Sequence, residues 1–169
     1  MKTKAIIILI FTVLGYNSFG QMMNSTVVDP KTNEKMLIGY CNLKGLQKGM
    51  YGAYFNSQFD IYNPNESVIK KLSDKIDDYE ITVVLATWCI DSKREVPRLY
   101  KVLTDAGYNE KRVKVIAVDR NKEAVVVDIA DLDIQRVPTI IVYKDDVEAG
   151  RIIEMPKRSI ESDLWKIIK

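Results

Sequence analysis

The sequence predicts a single α/β domain in which helices flank a central mixed sheet. From residue 64 onward, apolar positions with helical spacing alternate with short β-branched runs, in the order α-β-α-β-α-β-β-α. The β-α-β part of this order requires a parallel strand pair with a right-handed crossover, and the last two strands form an antiparallel hairpin. The chain of 169 residues is 47% hydrophobic, which suits one core of this kind.

Residues 1–20 have the pattern of a secretory signal peptide. Two lysines precede an apolar run over residues 5–14, and small residues come before a predicted cleavage near Gly20. The apolar run is shorter than a membrane span requires, although an uncleaved N-terminal anchor stays open as the alternative. We therefore expect an exported protein, periplasmic in location, with no membrane span in the mature chain.

Residues 21–60 are expected to form an extension packed on the core. Apolar runs at 26–28 and 36–38 flank turn-forming residues, which predicts a hairpin, and Cys41 follows it. Aromatic residues then recur at spacings of three and four, as on one face of a helix: Tyr51, Tyr54, Phe55, Phe59 and Tyr62. This face is either packed on the core, which we favour, or exposed as an aromatic substrate surface.

Residues 61–169 form the predicted domain itself, and their elements have start and stop signals. Helices are expected from Asn65, from Cys89 to a stop at Gly107, and after Ser159, with a short helix within residues 122–132. The strands share an apolar, β-branched composition and are expected at residues 81–87, 113–118, 140–143 and 149–154.

The charge balance and the residue inventory exclude several classes of function. Removal of residues 1–20 takes away two lysines and no acidic residue, so the remaining 23 basic and 23 acidic residues balance. We therefore expect no nucleic-acid partner. The chain has no histidine, which removes Ser-His-Asp and Cys-His catalysis and argues against a zinc or haem site. No metal and no cofactor is expected.

The most informative stretch covers residues 83–97. An apolar run leads into Trp88 and Cys89, and a charged segment with helical spacing follows. The pattern therefore predicts a strand that is followed by a helix, with Cys89 in the first turn of that helix. The N-terminus of a helix carries unpaired N–H groups and the positive end of the dipole, which stabilise a thiolate and make it a better nucleophile near neutral pH.

This stretch resembles the active site of the thioredoxin family, in which Trp-Cys-x-x-Cys follows a buried strand. Here Cys89 keeps its place, but Ser92 stands where the second cysteine would be. The second feature of the resemblance is Val137-Pro138, which matches the cis-proline segment that faces the active cysteine in that family. The resemblance implies a thioredoxin-like fold with an N-terminal hairpin-plus-helix extension. It also implies that Trp88, Val137 and Pro138 hold a substrate peptide beside Cys89.

The departures from the family pattern affect the expected chemistry. A hydroxyl at Ser92 cannot attack a mixed disulfide, although it can donate a hydrogen bond to the Cys89 thiolate. The buried acid and lysine of the family map to Val83 and to about Val115, so the groups that assist a second thiol are absent as well. We therefore expect monothiol chemistry rather than general disulfide reduction.

Trp-Cys-x-Asp-Ser is similar to the motif of a group of exported thioredoxin-like proteins of Bacteroidetes-type bacteria. We expect thiol-disulfide exchange with protein or peptide thiols and disulfides as partners, with Cys89 and Ser92 as the catalytic residues. A different class stays open, namely a non-catalytic binding module that uses the groove beside Pro138. Cys41 is either a core residue, a resolving thiol, or the disulfide partner of Cys89.

Overall fold

The computed structural model describes residues 23–169, and the predicted signal peptide lies outside this part of the chain. Its strands are β1 (Ser25–Val28), β2 (Lys35–Cys41), β3 (Glu80–Leu85), β4 (Lys114–Ala117), β5 (Thr139–Lys144) and β6 (Val147–Ile153). Its α-helices are α1 (Leu43–Leu46), α2 (Gly49–Ile61), α3 (Glu66–Ser73), α4 (Ile90–Asp105) and α5 (Ile160–Ile168). Three short 3₁₀ turns occupy Ile76–Asp78, Glu110–Arg112 and Ala130–Leu132.

The strands form one six-stranded mixed sheet in the order β1-β2-β4-β3-β5-β6. β3 and β4 are parallel, while the other neighbouring pairs are antiparallel. β3 lies inside the sheet, is buried after its first residue and is apolar there except for Thr82, as expected for a strand covered on both faces. The predicted α/β class with a central mixed sheet is therefore confirmed.

The hairpin that precedes the predicted domain is a continuation of the sheet. β2 pairs with β4, and Gly39 and Cys41 lie opposite Ala117 and Val115 in the register. Gly39 has a φ of +75°, a conformation that glycine adopts without strain, and a side chain at this position would press against Val126. Residues 25–41 thus supply the sheet edge beyond β4, while β6 supplies the opposite edge.

Helix α2 packs against α4 through its aromatic residues. Phe55 is 1% exposed and meets Tyr100 edge to face, with ring centroids 5.5 Å apart. Tyr51 is also buried, whereas Tyr54 is 42% exposed. The packing interpretation of this aromatic face therefore holds for Tyr51 and Phe55, because the stripe they form lies in the core.

The sheet separates two apolar clusters of different size. The larger cluster lies on the face covered by α2, α4 and α5, and includes Val83, Val115 and Cys41. The smaller cluster on the other face is built around Val84 and Ile116, and the partly buried Trp88 and Cys89 pack against it. The loop after β3 therefore meets the less covered face of the sheet.

The short helix predicted within residues 122–132 is present only as a 3₁₀ helix at the end of the segment. The segment contains only the 3₁₀ turn Ala130–Leu132, because Lys122 and Val125 have positive φ angles that an α-helix does not accommodate. Periodicity in so short a segment does not distinguish a helix from an irregular loop that covers an apolar cluster.

Between residues 23 and 169, no helix is long and apolar enough to cross a bilayer.

Truncation of Phe55 tests how much the packing of α2 on α4 contributes to the free energy of unfolding. We expect Phe55→Ala to lower the free energy of unfolding by about 3–5 kcal/mol, because it removes a buried aromatic side chain and leaves a cavity. Urea denaturation measures this loss. Asn56→Ala, at an exposed position of the same helix, is the matched control and should change stability little. A loss below about 1 kcal/mol for Phe55→Ala would contradict the packing of α2 on α4.

Candidate functional site

Cys89 occupies the N-cap position of α4. Its backbone is extended, with φ −83° and ψ 130°, and its carbonyl accepts the first helical hydrogen bond, from the N–H of Lys93 at 3.1 Å. Its own N–H donates to the carbonyl of Ala86 at 3.0 Å, which closes the tight turn after β3. The side chain makes no capping bond to the helix. The thiol therefore sits at the start of a sixteen-residue helix, as the sequence predicts.

The Cys89 thiol faces the segment that precedes β5. Its Sγ donates a hydrogen bond to the carbonyl of Val137 at 3.2 Å, across 48 residues of sequence. The Val137–Pro138 peptide bond is cis, as the resemblance implies. Cys89 is only partly buried. Two motifs that are far apart in sequence therefore form one site.

Ser92 is completely buried beneath this site. Its Oγ accepts the N–H of Ala86 at 3.2 Å, and its carbonyl accepts the hydroxyl of Tyr51 at 3.0 Å. Within residues 23–169, no hydrogen bond joins Ser92 Oγ to Cys89 Sγ. Ser92 therefore ties the turn before Cys89 to the first turn of α4. Its role as a donor to a thiolate stays a prediction.

The charges on α4 form an ion-pair cluster that the sequence did not reveal. Arg94 pairs with Asp91 at 2.8 Å and also with Glu95, whose side chain is only 4% exposed. The hydrogen bond from Arg94 to Glu95 raises the pKa of the guanidinium above its usual value. Arg98 also approaches Glu95, at 3.5 Å. The signal in the sequence for the burial of Glu95 was its helical spacing. Glu95 lies three residues after the buried Ser92 and therefore on the same face of α4.

Trp88 packs against Arg120, which forms an ion pair with Asp29 of the N-terminal hairpin. The Arg120 guanidinium lies over the indole at 4.8 Å and donates to both carboxylate oxygens of Asp29, at 2.7 and 2.6 Å. Asp29 is 2% exposed, and its hydrogen bonds with Arg120 hold the pKa of the carboxyl well below its usual range. Sequence reasoning missed both residues, because they are 91 positions apart and neither belongs to a motif.

Cys41 lies in the larger apolar cluster, away from the cluster that Cys89 contacts. It is 4% exposed, and its thiol donates only a weak bond to the Gly39 carbonyl, at 3.5 Å. Burial raises the pKa of the Cys41 thiol to about 12. Both cysteines are free thiols in this structure. The geometry therefore favours the interpretation of Cys41 as a core residue.

The parallel β3-α4-β4 unit, the β5–β6 hairpin and the cis-proline facing a cysteine at a helix start together define a thioredoxin-like fold. Among solved structures, a protein of unknown function from Pseudomonas aeruginosa matches with a TM-score of 0.50 and 14% identity, over 68% of this chain and 80% of that chain. This likeness concerns the fold alone.

Two further solved structures are similar at lower scores. An HIV epitope-scaffold has a TM-score of 0.47 and 14% identity, over 69% of this chain and 80% of its own. Mitochondrial thioredoxin 3 from Saccharomyces cerevisiae, in its oxidized form, has a TM-score of 0.38 and 20% identity, over 66% of this chain and 96% of its own. No protein-family model matches the chain, and no curated protein matches it.

The two thiols should differ greatly in reactivity. At pH 8, a thiol with a pKa of about 12 is ionised in roughly one molecule in ten thousand, so Cys41 should resist alkylation in the folded protein. We expect iodoacetamide to add one group to the native protein, at Cys89, and a second group only after unfolding. Intact-mass measurement follows both additions.

Two single variants assign the reactive thiol. Cys41→Ser should keep the fast addition, and Cys89→Ser should lose it. Equal rates at the two cysteines of the native protein would contradict the burial of Cys41.

Proposed function

We propose that the chain is an extracytoplasmic monothiol protein of thiol-disulfide exchange, with Cys89 as the nucleophile. The observation that carries this proposal is the placement of Cys89, a partly buried residue, at the start of α4, with its sulfur 3.2 Å from the Val137 carbonyl and beside the cis-proline. An inert core cysteine has no need of this position, whereas Cys41 shows the enclosed environment typical of such a residue.

The proposed reaction is a simple exchange. The Cys89 thiol loses its proton to solvent, and the thiolate attacks one sulfur of a client disulfide. The client S–S bond breaks, a mixed disulfide forms on Cys89, and the second client sulfur leaves as a thiolate. The two electrons of the broken bond stay with that leaving group. Because Ser92 has no thiol, a thiol from another molecule must attack the mixed disulfide to release the client.

The surrounding residues have supporting roles in this proposal. Val137 and Pro138 form the platform for an extended client peptide, and Trp88 forms the neighbouring wall. Ser92 supports the Cys89 turn through Ala86 and would donate a hydrogen bond to the thiolate. Because Trp88 is itself held by Arg120, the wall beside the sulfur has a fixed orientation.

A non-catalytic binding module is the second candidate. Val83 is completely buried and Val115 nearly so, in an apolar cluster, at the positions where the resemblance predicts charged groups that assist a second thiol. A chain that holds a peptide beside Pro138 without turnover needs neither these groups nor a second cysteine. Formation of a covalent adduct separates the two candidates.

Adduct formation with a peptide dimer joined by one disulfide tests the exchange. The wild-type protein should accumulate one peptide on Cys89, because it lacks a second thiol, and acid quenching followed by mass spectrometry measures the adduct. Cys89→Ser should give no adduct, while Cys41→Ser should behave as wild type. A wild-type protein that binds the peptide without forming an adduct would favour the binding module.

Ser92→Cys provides the matched gain of function. The new thiol should attack the sulfur of Cys89 in the mixed disulfide, release the peptide as a thiol and leave a disulfide between positions 89 and 92. The adduct should therefore disappear while peptide thiol appears at twice the wild-type yield per protein. Persistence of the adduct in Ser92→Cys would contradict the proposed orientation of position 92 toward the sulfur.

The proposed location rests on the leader and on the resemblance to exported thioredoxin-like proteins of Bacteroidetes-type bacteria. An oxidising compartment supplies client disulfides, which a reducing cytosol does not. Expression in a bacterium followed by osmotic shock should release a protein whose intact mass matches a start near Gln21. Recovery of the uncleaved mass from the membrane fraction would instead indicate a retained anchor.

A further inference from the structure

A cavity of about 590 Å³ lies beside the site and shares Trp88 with it. The hairpin β1–β2, the start of α2 and the Thr87–Trp88 turn enclose it, and Cys89 is not in its lining. The volume lies within the range of small-molecule sites, which is about 300–1,000 Å³. The cavity is therefore a candidate ligand site that does not use the Cys89 thiol.

The walls of the cavity are mainly apolar. Met36 and Leu37 contribute from β2, Met50 and Tyr51 from α2, and the Trp88 indole from the active-site turn. The indole N–H of Trp88 is enclosed and has no hydrogen-bond partner among residues 23–169. A wall of this composition favours a ligand with an apolar body.

The charges around the cavity favour an anion. Lys35, Lys48, Lys93 and Arg120 line it against only Asp29 and Glu34, which leaves two positive charges in excess. Since Arg120 is engaged with Asp29, Glu34 is the one remaining acid in the lining beside the three lysines. None of the three lysines forms a salt bridge within the described residues, and Lys93 Nζ lies over the Tyr54 ring, 4.5 Å from its centroid.

The start of α2 adds to the positive potential at the same cavity. Gly49, Met50 and Tyr51, its first three residues, are part of the lining. The helix begins with no side-chain cap at Lys48 and has no acidic residue in its first turn. Its free N–H groups and the positive end of its dipole therefore reinforce the lysines.

We propose that this cavity binds an organic anion that has an apolar body and a single carboxylate. The apolar body lies against Met36, Tyr51 and Trp88, and the carboxylate lies near Lys48 and Lys93 at the mouth. A ligand made of hydrocarbon alone would form no ion pair with the lysines. A small inorganic anion would leave the apolar walls exposed to water. The combination of an apolar wall with an excess of positive charge selects the amphiphilic anion.

Trp88 provides a reporter inside the cavity wall. The chain has two tryptophans, and Trp165 lies in α5, so Trp165→Phe leaves Trp88 as the single source of indole fluorescence. Titration of this variant with decanoate should give a saturable change in emission. Decanol and decyltrimethylammonium, which share the chain but not the charge, should bind at least roughly tenfold more weakly.

Charge removal at the mouth tests the site in detail. Lys48→Gln and Lys93→Gln, each in the Trp165→Phe background, should raise the dissociation constant of decanoate roughly fivefold to tenfold. Lys111→Gln, in the turn before β4 and outside the lining, is the matched control and should leave the constant unchanged. Equal urea midpoints would show that the variants fold alike.

A second measurement does not depend on variants. Raised ionic strength should weaken decanoate binding to the Trp165→Phe protein while leaving decanol binding unchanged, since only the carboxylate is attracted by the lysines. Non-saturable emission changes, equal affinity for decanoate and decanol, or equal loss in Lys111→Gln and Lys48→Gln would each overturn the proposal.

Discussion

The pairing of β3 with β5 is the constraint on which the rest of the site depends. Val84 lies opposite Thr139 in this antiparallel register. The end of β3 and the start of β5 are therefore next to each other, at the same end of the two strands. Cys89 therefore comes within hydrogen-bond distance of Val137, although neither residue belongs to a strand. The register runs from Glu80 opposite Tyr143 to Val84 opposite Thr139 without a bulge.

A second long-range interaction joins the hairpin to the site. Asp29 is a buried carboxylate in the β1–β2 turn, and burial of a charge is costly unless it is paired and hydrogen-bonded. Arg120 provides two hydrogen bonds to the Asp29 carboxylate, and its guanidinium also lies over the Trp88 ring. The hairpin therefore contributes an edge of the sheet and also fixes an aromatic wall beside Cys89. The same hairpin forms one side of the cavity that adjoins Trp88.

The interior around the site is consistent with one reactive sulfur. Ser92 is enclosed and uses its hydroxyl to accept a backbone N–H, and Val83 and Val115 extend the apolar cluster beneath α4. The buried charge of the region lies instead on Glu95, where two arginines of α4 approach it. The pairing with Arg94 and Arg98 compensates the burial of the Glu95 carboxylate.

The sequence by itself determined the α/β class, the placement of Cys89 at a helix start and the role of Val137-Pro138 as a landmark before β5. These features depend on local periodicity, on helix-start chemistry and on a resemblance carried by short motifs. Tertiary structure decided the pairing of β2 with β4, the contact of Asp29 with Arg120 and the irregular path of residues 122–129. Each of these depends on residues far apart in the chain or on backbone angles that side-chain patterns do not encode, so only the folded chain reveals them.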